Sequence, residues 1–358
     1  MKSRQSIVCL SSYSHITFFS YALVIFLATI TISASYNEET DYQVLLSFKS
    51  MITHDPFGSL TSWNSSFHLC EWSGVSCGKR HRRVTVIQLE SQGLEGSLSP
   101  HLGNLSFLHD LSLWNNSLEG TIPHELGHLS RLRYLNLGNN RLVGSIPMDL
   151  SFLSKLLLLV VEENNFTGGI PRFLGNMTSL EGFSAAGNPL GGIIPDTLGH
   201  LKNLRLFHCG GCNLYGTISE SIFNLSLLVK LTLPDNQLTG SLPQAIGAML
   251  RHLVTLQLRD NQLSGHIPPW ISNCSKLLTL EMGTNNFWGE LMIDFTKLVD
   301  ISLIALFSNN IYGRGKDYEM NFIDSLKNCS RLQSLDLGEC KFQGVVPNSI
   351  GNLSQELW

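Results

Sequence analysis

Charged side chains are scarce in this chain of 358 residues, where Asp, Glu, Lys and Arg together make up only 15%. The 24 basic and 28 acidic residues leave a formal net charge of −4, and no basic patch is expected to dominate the surface. Nucleic acid is therefore not an expected partner. Leu, Asn, Gly and Ser are abundant instead, a composition that fits a repeat protein whose turns are polar but uncharged.

Signatures of catalysis are also lacking. The chain has no kinase catalytic loop of the His-Arg-Asp type, Asp55-Pro56-Phe57-Gly58 is not the metal-binding Asp-Phe-Gly, and Gly313-Arg314-Gly315-Lys316 is not a phosphate-binding loop. The segment His124-Glu125-Leu126-Gly127-His128 does match the H-E-x-x-H zinc-protease pattern. A zinc site also needs a third ligand and an open coordination position, whereas here the histidines are surface substitutions in a repeated leucine pattern. No enzymatic activity, metal or cofactor is expected.

A long apolar run, residues 16–32, follows Lys2 and Arg4 and precedes the small residues 33–35. A basic start, an apolar middle and a small-residue exit predict a secretory signal peptide over residues 1–34. An uncleaved membrane anchor is the alternative, because the run is nearly long enough to span a bilayer. No other stretch is both long and apolar enough to do so, and the chain is expected to be secreted or to lie on the extracellular face of the plasma membrane.

Residues 37–80 are predicted to form a cap on the first repeat. Cys70 and Cys77 lie close together beside Trp72 in a chain predicted to be exported, so we predict a disulfide between them. Apolar residues at helical spacing predict a helix that ends at Asp55, namely Val44, Leu45, Phe48, Met51 and Ile52.

A repeat with a period of about 24 residues occupies residues 84–358. Leu135 and Leu137 in one copy are two residues apart, so both point to the same side of a short strand. Asn140 can close the following turn because its amide donates and accepts hydrogen bonds at once. Such a period predicts a leucine-rich-repeat solenoid, with a longer connecting segment near residues 312–331. About eleven copies start at Val84, Leu108, Leu132, Leu156, Leu180, Leu204, Leu228, Leu253, Leu277, Ile301 and Leu332.

The Cys-x-Trp-x-Gly-Val-x-Cys motif of residues 70–77 and the Leu-x-Gly-x-Ile-Pro motif of the repeats resemble the ectodomains of plant leucine-rich-repeat receptor-like serine/threonine kinases. Residues 321–332 resemble the subfamily of bacterial-pattern immune receptors. The resemblance implies an α/β solenoid with a right-handed superhelix, a parallel concave β-sheet and an irregular or 3-10 convex side. It also implies a peptide or protein ligand and a co-receptor kinase ectodomain as partners.

The resemblance ends where the relatives continue into further repeats, a membrane span and a kinase, because this chain stops at Trp358 within a new repeat. We expect a receptor sequence truncated before its membrane span and kinase, which is a fragment, a truncated gene model or a decoy form of a receptor. Membrane association would then depend on the missing span or on an uncleaved signal segment.

Five further cysteines fall in the repeats. Cys209 takes an inward strand position, and Cys212 and Cys340 take the asparagine position. Burial as free thiols is the leading interpretation, with a Cys209–Cys212 bridge and a metal or redox site as alternatives. Cys274 and Cys329 are predicted to be separate buried thiols.

Sequons for N-glycosylation are dense, and in an exported chain they predict a glycan-shielded surface. Most fall on the convex or lateral sides, which favours the strand face for binding. The nine asparagines are Asn64, Asn104, Asn115, Asn165, Asn176, Asn224, Asn273, Asn328 and Asn352.

Residues that alternate with the inward leucines should face solvent on the concave sheet, where they have no packing role. A broken apolar track with interleaved charges there predicts a ligand-binding surface, although scattered exposed apolar residues are normal in any protein. The candidate binding residues are Trp114, Tyr134, Leu158, Val160, Glu162, His208, Arg259, Glu281 and Phe307.

Two functions are compatible with these features. The first is the extracellular ligand-recognition domain of a receptor-like kinase in immune or developmental signalling. The alternative is a soluble inhibitor of microbial cell-wall hydrolases, similar to the polygalacturonase-inhibiting proteins. Those inhibitors close both ends with additional cysteine pairs, and the lack of such pairs here favours the receptor.

Overall fold

One main sheet of twelve strands runs through the molecule in sequence order. The computed structural model describes residues 39–244, 250–313, 322–343, 346–354 and 356–357. The predicted signal peptide and the centre of the predicted longer segment, residues 314–321, lie outside the described residues. The strands are Val75–Cys77, Val84–Gln88, Asp110–Ser112, Tyr134–Asn136, Leu158–Val160, Gly182–Ser184, Leu206–His208, Lys230–Thr232, Thr255–Gln257, Thr279–Glu281, Leu303–Ala305 and Ser334–Asp336.

The main sheet is parallel from its second strand onward, because each repeat contributes one strand in the same direction. The register places Leu135 between Leu111 and Leu159. These inward side chains are fully buried, as are Leu132 and Leu137. Equivalent leucines therefore stack into a continuous core, and the predicted parallel repeat fold is confirmed.

Short helices follow the convex side of the solenoid, most of them 3-10 helices. The segment His124–His128 is one of them, with Leu126 fully buried. No cluster of three or more metal-ligating side chains occurs among the described residues. The 3-10 helices are Leu69–Glu71, Pro100–Asn104, His124–His128, Met148–Phe152, Arg172–Asn176, Asp196–His200, Pro269–Asn273, Phe295–Lys297, Leu326–Asn328 and Asn348–Asn352, and α-helices cover residues 39–50, Glu220–Phe223 and Phe322–Ser325.

Two smaller lateral sheets line one side of the solenoid, a feature that the sequence analysis did not anticipate. Gly144 ends one of the lateral strands with φ +84°, a backbone conformation that favours glycine. The first lateral sheet comprises Ile52–His54, Glu95–Ser97, Ser117–Gly120, Arg141–Gly144 and Asn165–Phe166. The second comprises Tyr215–Thr217, Gln237–Ser241, Gln262–Gly265, Asn286–Glu290 and Asn310–Tyr312.

The N-terminal cap covers the first repeat with aromatic side chains. Trp63 and Trp72 stack with ring centroids 5.4 Å apart, and both are almost fully buried. Cys70 and Cys77 are joined by a disulfide. The predicted helix is shorter than expected: it spans residues 39–50, and Ile52 belongs instead to a strand that pairs with the first lateral strand of the repeats.

The corner asparagines hold consecutive repeats together. The side-chain nitrogen of Asn140 donates to the carbonyl oxygens of Leu113, Leu137 and Gly138 at 3.0–3.1 Å. Its side-chain oxygen accepts from the backbone N–H of Leu118 at 3.0 Å. One amide thus satisfies four backbone groups that the buried turn would otherwise leave unpaired, since buried backbone groups require partners. The same pattern holds at Asn116, Asn164, Asn188, Asn236, Asn261, Asn285 and Asn309.

Cys212 replaces the asparagine in one repeat and fulfils only part of its role. Its thiol contacts the carbonyl oxygens of Ala185 and Gly210 at 3.2 and 3.5 Å, but it provides no acceptor for Leu190. The Leu190 N–H instead donates a hydrogen bond to the carbonyl oxygen of Asn188 at 2.8 Å. The two lateral sheets are separated at this repeat.

All five repeat cysteines are free thiols in the structure, and all except Cys340 are buried. Burial raises the pKa of Cys209, and a hydrogen bond with it lowers the pKa of Cys212. Burial also raises the pKa of Cys274 to about 12 and that of Cys329 to about 11.

Candidate ligand-binding surface

A shallow groove of about 510 Å³ lies on the concave face, across the strands of six consecutive repeats. Its walls are apolar at one end and polar at the other. Four of the predicted binding residues line it, namely Leu158, Val160, Glu162 and His208. The other lining residues are Ser184, Leu206, Lys230, Thr232, Thr255, Gln257 and Thr279.

The strand Gly182–Ser184 forms the floor of the groove, and the sequence analysis overlooked it. All three residues are buried, although Gly182 and Ser184 occupy the outward-facing positions. A Cβ atom on Gly182 would lie 2.6 Å from Leu158 Cδ1, so Leu158 can lean across this strand only because the glycine has no side chain. The sequence signal that could have predicted this floor is the presence of small residues at outward positions where the neighbouring repeats have larger ones.

Three polar side chains on successive strands are joined at the base of the groove. Ser184 hydroxyl donates to the Glu162 carboxylate. The hydroxyl oxygen also lies 3.3 Å from Nδ1 of His208, and Glu162 Oε2 lies 3.7 Å from the same nitrogen. Burial lowers the pKa of His208, an effect that Glu162 opposes. The half-buried acid and imidazole provide hydrogen-bonding groups beside the apolar wall.

Arg259 and Glu281 belong to a separate ionic cluster. The Arg259 guanidinium lies 2.6 Å from Asp260, 3.5 Å from Asp235 and 3.5 Å from Glu281. Glu281 also accepts a hydrogen bond from Gln257 at 2.7 Å. Because three carboxylates already contact Arg259, its positive charge is largely compensated within the protein.

The three aromatic candidates lie outside the groove. Trp114 and Tyr134 are 37% and 42% exposed. Tyr134 pairs with Asp110, so Trp114, four residues further along, lies about 13 Å away in the strand direction. Phe307 covers Gly283, where a Cβ would come within 2.5 Å of its ring. The structure therefore does not bring the predicted track together as one continuous apolar surface.

None of the predicted glycosylation residues lines the groove. Asn104, Asn176, Asn273 and Asn328 are exposed at the ends of convex 3-10 helices, and Asn224 is exposed after a short α-helix. Asn165 is exposed on a lateral strand, whereas Asn64 and Asn115 are half-buried. The Asn352 side chain lies outside the described part of the chain.

Family models match the chain along most of the solenoid. A leucine-rich-repeat region matches residues 70–214, a leucine-rich-repeat N-terminal domain matches residues 38–78, and single leucine-rich repeats match residues 252–274 and 331–353. The chain is therefore a leucine-rich-repeat protein with an N-terminal cap domain.

Plant receptor kinases are among the relatives of this chain. A probable LRR receptor-like serine/threonine-protein kinase of Arabidopsis thaliana is 49% identical over 81 residues, and the LRR receptor-like serine/threonine-protein kinase EFR of the same plant is 46% identical over 85 residues. These matches cover 23% and 24% of this chain but only 8% of each relative. They fall within the ectodomain region, and no kinase domain is matched.

Solved ectodomains share the architecture. The GASSHO1/SCHENGEN3 ectodomain from Arabidopsis thaliana, in complex with CASPARIAN STRIP INTEGRITY FACTOR 2, superposes with a TM-score of 0.74 at 27% identity, covering 88% of this chain and 43% of that one. The Arabidopsis receptor kinase HAESA, in complex with the peptide hormone IDA and the co-receptor SERK1, gives 0.69 at 30% identity, covering 87% and 55%. This chain is homologous to the ectodomains of plant LRR receptor kinases. Across the described residues, no helix has the length and apolarity needed to cross a membrane.

Proposed function

We propose that this chain is the extracellular ligand-recognition region of a plant LRR receptor-like kinase, which binds a peptide or protein ligand on its concave face. The observation that carries the proposal is the groove across six repeats, with an apolar wall, an acid and an imidazole that each hydrogen-bond to Ser184, and no sequon among its lining residues. The ligands named for the related ectodomains support a peptide in particular.

A co-receptor kinase ectodomain is the proposed second partner, by analogy with the HAESA complex. The predicted signal peptide and the homology to extracellular domains support a location outside the cell. We also propose that the exposed sequon asparagines carry glycans, which would shield the convex side and leave the groove accessible. The relatives reported above are receptors, and nothing in the structure favours the alternative of a hydrolase inhibitor.

The test uses a random peptide-display library selected on the full chain produced by secretion. An enriched peptide is then synthesised, and its affinity is measured for Ser184→Leu, which fills the groove floor, and for the matched control Ser264→Leu on a lateral strand. We expect Ser184→Leu to weaken binding roughly thirtyfold, as at an interface hot spot, and Ser264→Leu to change it less than about twofold. Equal affinity of both variants would place the ligand elsewhere.

The same peptide tests the remaining candidates. Alanine substitution of Trp114, Tyr134 and Arg259, each after a check of folding, shows whether the ligand extends beyond the groove. Loss of binding in Trp114→Ala and Tyr134→Ala would extend the proposed site toward the N-terminal repeats. Unchanged affinity would restrict it to the groove.

A further inference from the structure

A basic run, Lys79-Arg80-His81-Arg82-Arg83, forms the turn of the hairpin between strands Val75–Cys77 and Val84–Gln88. The turn is closed by backbone hydrogen bonds from Gly78 N to Arg83 O and from Arg82 N to Gly78 O, both 2.9 Å long. The Cys70–Cys77 disulfide ties one strand of this hairpin to the preceding 3-10 helix. The positions of the basic side chains are therefore fixed by a rigid base.

Arg83 points inward and differs from the other four. Its guanidinium donates two hydrogen bonds to the Asp41 carboxylate, at 2.8 and 2.7 Å, and both side chains are buried. This ion pair anchors the hairpin to the cap helix. Lys79, Arg80 and Arg82 are exposed instead, and they form no ion pair with any residue that the structure describes.

The first and second repeats extend this positive surface. The Arg131 guanidinium lies 4.0 Å from the centre of the Phe107 ring, and the His81 ring centre lies 5.6 Å from it. Arg131 is also exposed and without an ion pair among the described residues. We define the basic surface as Lys79, Arg80, His81, Arg82 and Arg131. It collects four permanent cations on a chain whose net charge is −4.

The composition of this surface indicates the chemistry of its partner. Closely spaced cations without carboxylates repel one another and attract a polymer with regularly spaced negative charges. A protein partner would be expected to bury an apolar centre, but Arg131 covers the Phe107 ring. Single-stranded nucleic acid would be expected to stack on exposed aromatic rings, but the one exposed ring of this surface, His81, already lies against Phe107.

We propose that the basic surface binds an anionic polysaccharide of the uronate class, at a site separate from the concave groove. Each sugar of such a polymer carries one carboxylate, and the fixed hairpin would hold several cations against successive sugars. The homology to extracellular domains places the surface where matrix polysaccharides occur. Binding would retain the N-terminal end of the solenoid in the matrix while the groove stays free for its ligand.

The test measures binding of a long unesterified oligogalacturonate to the full secreted chain, with the fully methyl-esterified oligomer of the same length as the uncharged probe. The variant combines Lys79→Gln, Arg80→Gln and Arg82→Gln. The control combines Lys202→Gln, Lys276→Gln and Lys341→Gln, which removes the same charge from distant repeats. Tryptophan fluorescence, to which the buried Trp63 and Trp72 of the cap contribute, checks that both proteins are folded.

We expect the variant to bind the oligogalacturonate roughly tenfold or more weakly, and the control to stay within about twofold of the wild type. Binding by the wild type should also weaken steeply as the salt concentration rises, because counterions are released from a polyanion on binding. Binding of the esterified oligomer, or retained affinity in the variant, would overturn the proposal. Equal affinity for polyglutamate or duplex DNA of matched charge would also overturn the assignment to a polysaccharide. A folded variant that loses oligogalacturonate but keeps the library-selected peptide supports two separate sites.

Discussion

Two stretches of the solenoid differ at the corner of the repeat and in whether a lateral strand forms. In the first, the repeat that contains Asn140, a lateral strand pairs with its neighbours on both sides. In the second, the corner residue is Cys212, and the preceding segment, which contains Pro189 and Leu190, forms no lateral strand. Yet the main sheet continues without interruption through both stretches.

The difference shows that the corner residue and the inward residues control different sheets. Phe183 and Phe207 are paired and buried across the irregular stretch, so stacking of inward side chains is enough for the main sheet. The irregular stretch lacks both a corner acceptor, because Cys212 provides none, and a donor, because Pro189 has no N–H. The missing acceptor alone does not abolish a lateral strand, since Asn310–Tyr312 forms one although its corner residue is Cys340.

The largest expected effect on stability comes from removing the corner amide of the regular stretch. Asn140→Ala leaves three carbonyls and one N–H without their partner, and we expect a loss of about 3 kcal/mol in the free energy of unfolding, since each buried unpaired group costs about 1–3 kcal/mol before water compensates. Chemical denaturation measures it. The control is Asn286→Ala, at an exposed position, which should change stability by less than about 0.5 kcal/mol. Similar stability of the two variants would contradict the role assigned to the corner.

A smaller effect is expected when the two corners are exchanged. Asn140→Cys should cost about 1–2 kcal/mol, because a thiol replaces some of the donor bonds but none of the acceptor bonds. In hydrogen exchange, the N–H of Leu118 should lose protection while Leu135 in the main sheet keeps it. Loss of protection in both would mean that the two sheets are not separable.

The converse exchange, Cys212→Asn, should stabilise the chain by about 1 kcal/mol through an acceptor for the Leu190 N–H. Protection of that N–H from hydrogen exchange should rise. A decrease in stability would instead show that the space around Cys212 does not admit an amide.

The smallest effect concerns the concave side of the irregular stretch, where burial lowers the pKa of His208 below its ordinary value of 6.5. Folding therefore disfavours protonation of His208. The contribution of this residue to stability is fully present above pH 6.5 and is lost as the pH falls below that value. Because His208 is one-third exposed, we expect a few tenths of a kcal/mol at most. His208→Gln should reduce the loss of stability between about pH 7.5 and about pH 5.5. The exposed His124→Gln is the control, and an equal change in both would refute the assignment.

The periodicity of leucines and asparagines was sufficient to predict a solenoid of stacked strands, and the resemblance to a known family implied the 3-10 convex side. It was not sufficient for the lateral sheets, because residues such as Ser117–Gly120 combine one inward leucine with polar and glycine residues that also suit a loop. The groove was predicted only in part, because Gly182 and Ser184 contribute by lacking bulk. The basic hairpin was missed because whole-chain charge hides a local run of five basic residues.

The corner asparagine has a consequence for how such a chain tolerates changes in length. Asn261 reaches back 28 residues to the carbonyl of Leu233, whereas Asn236 reaches back 27 to Cys209, and Cys340 reaches back 34 to Leu306. The contact persists although one or seven residues have been added between strands. Insertions on the convex side therefore leave the hydrogen bonds of the corner asparagine intact. A single deletion between a strand and its asparagine would instead move the asparagine away from all of its backbone partners. Length variation during evolution should therefore accumulate on the back of the solenoid and leave the strand-to-corner segment constant.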